Sequence, residues 1–129
     1  MIREVFITET NCITPLGFTL ETNIQNIENG ISGIRLHENS EMMKTPFYAS
    51  IIEDEILNSA FAKVSKSTDF TRLEKMMILA LQPIVEKSKL DLTSKTGLIL
   101  STTKGNITAL KNPTEENLKS AHLSELAKK

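Results

Sequence analysis

Short apolar runs alternate along the chain with apolar residues at helical spacing. Val5, Phe6, Ile7 and Thr8 are β-branched or aromatic in a run too short for a helix, which predicts a first strand. Thr10, Asn11 and Thr14 then give a polar loop closed by Pro15, Leu16 and Gly17. Pro15 has no amide donor and Gly17 can take positive φ, so this is an ordered turn feeding a helix. From Thr19, a suitable N-cap, the residues Leu20, Ile24, Ile27 and Ile31 step by four, three and four and make one amphipathic stripe. Gly30 suits the position just past the helix end, where a left-handed backbone is needed.

Residues 35–46 have no period and read as loop, with His37 as a solvated histidine. A second strand is predicted over 47–52 and a short helix over 53–64, with Ile56, Leu57, Ala60, Phe61 and Val64 on one face. Thr71 and Glu74 have the spacing of a capping box. The stripe of Leu73, Met76, Met77, Ala80, Leu81 and Ile84 that follows predicts the strongest helix, a buried one, interrupted by Pro83. Leu98, Ile99 and Leu100 sit in a third predicted strand over 96–101, buried on both faces. Asn112 and Pro113 mark a turn, and residues 114–129 a terminal helix with Thr114 as N-cap and Lys128 and Lys129 at its negative end. Strands separated by helices predict an α/β fold, with a mainly parallel or mixed sheet and helices packed on it.

Composition narrows function more by exclusion than by suggestion. With 129 residues the chain suits a single domain, and 40% hydrophobic residues, 24% charged residues and a net charge of −1 are ordinary for a globular protein. That balance indicates neither a nucleic-acid nor a membrane partner. One Cys excludes an internal disulfide framework and suits a reducing compartment, and no leader or transmembrane run is visible, so the expected location is cytoplasmic. No motif implies a cofactor or a metal.

The early motifs carry a family likeness. Ile7-Thr8, the loop, Pro15-Leu16-Gly17, a helix, then Gly30-Ile31-Ser32-Gly33-Ile34 resemble the opening of β-ketoacyl-acyl-carrier-protein synthases, condensing enzymes of the thiolase-like fold. Glu9 and Asn11 stand where that family has its early glycines. The resemblance spans about residues 2–110, leaving 111–129 as the terminal helix, and it implies a single partial thiolase-like domain from the N-terminal half of a synthase. It also implies acyl carrier protein and acyl thioesters as partners, in fatty acid or polyketide-type chain elongation. Half a layered fold leaves apolar faces to cover, so a homo-oligomer or docking on a related synthase is expected. The five residues from Gly30 to Ile34 read either as a helix cap with a tight turn or as part of an active-site entrance.

These synthases use a Cys thiolate and two His, or His and Asn, and all of them lie downstream of the matched region. No catalytic residue is therefore transferred to this chain, which alone is expected to be inactive. Cys12 lies in the first loop, away from the nucleophile's place, and reads as a small, buried, inert thiol. The loop after the third predicted strand is the candidate substrate-binding segment, through Thr103, Lys104, Gly105 and Ile107, because ligands gather at such strand ends. It lacks the P-loop order, since Lys104 precedes Gly105. By resemblance Gly97 and Gly105 match the family's glycines, while Ser101, Thr103 and Asn106 replace others. Two further readings stand beside the synthase fragment: a complete non-catalytic thiolase-like protein docking on an intact synthase, and an unrelated small α/β binding module.

Overall fold

The computed structural model describes residues 4–129 apart from 90, 92, 94, 112, 113, 127 and 129. Within them the chain is an α/β domain in the order α1 (Leu20–Glu28), β1 (Arg35–His37), β2 (Phe47–Ala49), α2 (Asp54–Phe61), α3 (Arg72–Ser88), a 3-10 helix (Ile107–Lys111), α4 (Glu115–Ser120) and α5 (Leu123–Leu126). The turn predicted at Asn112 and Pro113 lies outside the described residues, as do Ile2 and Lys129.

The helix boundaries follow from their caps. Thr19 accepts from the Thr22 amide at 3.2 Å and opens α1. At the other end the Ile31 amide bonds Asn26 O and the Gly30 amide bonds Ile27 O, both at 2.9 Å, with Gly30 at φ 71°. That is a Schellman termination, and it needs the left-handed residue that glycine supplies. The capping box of α3 is complete: the Thr71 amide donates to Glu74 Oε2 at 2.6 Å and the Glu74 amide to Thr71 Oγ1 at 3.4 Å.

The sheet is two-stranded and antiparallel, with Arg35 opposite Ala49, Leu36 opposite Tyr48 and His37 opposite Phe47. This corrects the expectation of a mainly parallel or mixed sheet. Only the second predicted strand forms, shortened to three residues, and its partner comes from the segment read as loop. Residues 4–8 and 96–101 belong to no strand. Their composition suits a pleated surface, but a strand exists only through a ladder to a neighbour, and these segments make none among the described residues. Val5 is 91% and Ile99 96% exposed.

Two further expectations change. The apolar stripe of α1 is not its packing face: Ile24, Ile27 and Ile31 are exposed, and the buried residue is Asn23. Asn23 Nδ2 donates to Cys12 O at 3.3 Å, Gly17 O at 3.0 Å and Thr19 O at 2.7 Å, and its Oδ1 accepts from the Thr14 hydroxyl. One turn on, Asn26 Nδ2 donates to Leu16 O at 2.6 Å. The helix thus holds the preceding loop through amides at i and i+3, and the isoleucines face outward. The single terminal helix is two short ones, α4 and α5, with the His122 amide turned back to Lys119 O at 3.1 Å between them.

The core lies between α2 and α3. Ile52, Leu57 and Phe61 are its buried apolar side chains among the described residues, and Phe61 meets Phe70 edge-on at 5.2 Å between centroids. Lys75 of α3 donates to Asn58 at 2.7 Å and sits over the Phe61 ring at 5.9 Å, while Arg72 binds Asp54 and the Ile52 carbonyl. The predicted stripe of α3 is half-buried along most of its length, and its one buried residue is Glu74. Pro83 lies inside α3 without ending it. Having no N–H, it leaves the Leu79 carbonyl without its ladder donor. One residue further on, Ala80 O accepts from Asn11 Nδ2 at 3.1 Å, and Asn11 Oδ1 accepts from the Leu20 amide at 3.0 Å. Asn11 therefore ties the start of α1 to the proline turn of α3.

Lys87 and Glu21 bridge the same two helices at 3.2 Å. The Glu21 carboxyl is held below its ordinary range, first by its own backbone amide in the opening turn of α1 and next by Lys87. A lowered carboxyl adds stability above its unfolded value, and that stability is lost as pH falls through the folded value. The group is fully exposed, so the effect on stability is small, but its titration is directly visible. In a carbon-detected NMR titration, Lys87→Met should move the Glu21 midpoint upward yet leave it below the ordinary value. An unmoved midpoint would remove Lys87 from the account.

Candidate functional site

The predicted segment forms a tight turn at the surface. Thr102 Oγ1 accepts from the Lys104 amide at 3.4 Å and from the Gly105 amide at 3.0 Å, and Gly105 has φ 57°. This hydroxyl turn explains both the Thr and the Gly. It also occupies the two successive amides that an anion cradle would need. Thr103, Lys104 and Ile107 are exposed, Gly105 is half-buried and Asn106 is buried. The turn brings Thr103, Lys104 and Gly105 together, and Ile107 begins the 3-10 helix that packs against α4.

Cys12 is half-buried, and no hydrogen bond reaches its sulfur from the described residues. Among them, too, no group of three His, Cys, Asp or Glu converges to hold a metal ion, and no helix is long and apolar enough to cross a membrane. His37 is not a solvated loop residue: it lies in β1, half-buried and stacked on Phe47 at 5.6 Å, with Nε2 3.2 Å from Ala49 O. A carbonyl only accepts, so Nε2 is the donor in this contact.

Clefts lie on two sides of the start of α2. One of about 290 Å³ lies between the turn at 14–18, β1 and the start of α2, with Arg35, His37 and Glu53 on its walls. The other, about 700 Å³, takes Glu53, Asp54 and Arg72 from the α2–α3 corner and Thr108 and Lys111 from the 3-10 helix. Neither has a lining residue from 103–107. Arg35, His37 and Glu53 carry no sequence motif, and three-residue strands are too short to show a period that would have paired them in advance. No protein-family model, curated protein or solved structure matches the chain.

Proposed function

We propose that the chain is the N-terminal part of a β-ketoacyl-acyl-carrier-protein synthase of thiolase-like fold, contributing architecture and no catalytic group. The observation that carries this reading is apolar surface of core composition standing in solvent. Residues 5–7 and 98–99, the isoleucines of α1 and the half-covered flank of α3 all lack a covering layer among the described residues. Surface of this kind marks an interface to be filled. The motif order is what supports this family in the proposal: a Thr14-Pro15-Leu16-Gly17 turn closed by reciprocal 3.0 Å backbone bonds, then a helix terminated at Gly30. In that setting 4–8 and 96–101 are strands awaiting neighbours, and the turn at Thr103 to Gly105, with Ile107 after it, lies at a sheet end beside the acyl thioester.

The frame beyond Lys129 tests the reading. Coding sequence that supplies a nucleophilic Cys and downstream His motifs supports it. A stop codon moves the reading to a non-catalytic thiolase-like protein docking on an intact synthase. The isolated chain is also expected to take up no acyl group. A nucleophilic thiol needs a base or cation beside it, and an oxyanion needs aimed donors. Intact mass after incubation with acyl-carrier protein should equal that of the untreated chain. An adduct that forms rapidly and vanishes in Cys12→Ala would overturn the assignment.

A further inference from the structure

The 290 Å³ cleft beside β1 has no part in the reading above, and its chemistry is divided. Pro15, Leu16, Ile51 and Ile56 line it with apolar surface, while Arg35 and Glu53 bring opposite charges to the same space. The ion pairs among the described residues are Arg72–Asp54, Lys87–Glu21 and Lys128–Glu125, so Arg35 and Glu53 do not pair with one another. Glu53 occupies the N-cap position of α2, yet its side chain caps nothing. One exposed charge without a partner is ordinary. Two of opposite sign on the lining of one partly apolar cleft give it a field that a dipolar ligand matches better than a singly charged one.

We propose that this cleft binds a small zwitterion with an apolar body, the chemical class of the aliphatic α-amino acids. The carboxylate meets the Arg35 guanidinium, whose forked donors suit it, and the ammonium meets Glu53. The aliphatic body lies against Leu16, Ile51 and Ile56. A volume of about 290 Å³ is at the small end of ligand pockets and suits a single residue rather than a long acyl chain.

The test is a 1H–15N NMR titration of the full chain with L-leucine and two half-ligands of the same body, 4-methylpentanoate and 3-methylbutylamine. Leucine should shift the amides of 14, 16–18, 35–37 and 51–56 saturably, and each half-ligand should bind at least about tenfold more weakly, one charge-assisted contact being worth that much. Arg35→Gln and Glu53→Gln should each weaken leucine by a similar factor while leaving amides outside these segments in place. No saturable shift, a half-ligand that binds as well as leucine, or unchanged affinity in either variant would overturn the proposal.

Discussion

Leu57→Ala should cost about 3 kcal/mol and leave α2 detached from α3. Leu57 is 1% exposed and one of three buried apolar side chains in the described structure, so its loss opens a cavity that few neighbours can close. Stabilities of small domains are themselves only about 5–15 kcal/mol, and a core this thin puts the chain near the lower end. Urea unfolding followed by circular dichroism should show the midpoint falling sharply. Two controls fix the cause. Leu57→Met keeps volume and should cost less than about 1.5 kcal/mol. Ile56→Ala, one position away but 56% exposed, should stay within about 0.5 kcal/mol. Equal losses at 56 and 57 would mean that α2 does not pack as described.

Asn23→Asp should be worse than Asn23→Ala, although it is nearly isosteric. The amide nitrogen of Asn23 is the common donor to the carbonyls of Cys12, Gly17 and Thr19. Alanine deletes that donor: Gly17 O and Thr19 O keep the backbone amides of Thr14 and Asn23, while Cys12 O loses the donor it has here, at roughly 2 kcal/mol. A carboxylate turns attraction into repulsion at a site that is 3% exposed, so a loss of about 3–5 kcal/mol is expected at neutral pH. The sign of the pH dependence separates charge from shape. The new carboxyl is stabilised in its neutral form by folding, so its folded pKa is raised. The deficit relative to Asn23 should therefore narrow as pH falls through that raised value. Thermal melts at neutral and acid pH measure it, and a deficit independent of pH would show that the loss is one of packing.

What was legible in the sequence was what neighbours in the chain decide. Thr19, Gly30 and the Thr71–Glu74 pair mark helix ends through bonds within a few residues, and α1 and α3 lie where those signals place them, while α2 lies inside the 53–64 stretch that its apolar face predicts. The segment around Thr103 was legible as a loop, and the bonds from the Lys104 and Gly105 amides to Thr102 that make it a tight turn were not read from it. Pairing was not legible. Whether 4–8 or 96–101 becomes a strand depends on a distant ladder, and β composition does not say whether one is available. The face of α1 was misread for a related reason. Its periodic isoleucines outnumber Asn23, but the loop carbonyls that Asn23 must satisfy come from residues ahead of the helix. The cleft between Arg35 and Glu53 draws on three separate segments, and no local pattern announces such a meeting.

The helix end at Asn29-Gly30 also bears on how the molecule ages. An Asn followed by Gly is the pairing most open to spontaneous succinimide formation, because the next amide nitrogen attacks the side-chain carbonyl and glycine does not obstruct it. Here the Gly30 nitrogen already donates to Ile27 O at 2.9 Å, and the Ile31 nitrogen to Asn26 O at 2.9 Å. Attack would require those bonds to break and the helix end to unwind. The Schellman bonds that terminate α1 therefore also act as a chemical guard. Conversion of Asn29 to isoaspartate would follow the opening of one helical turn, making that slow covalent change a clock for local unfolding at this end of α1.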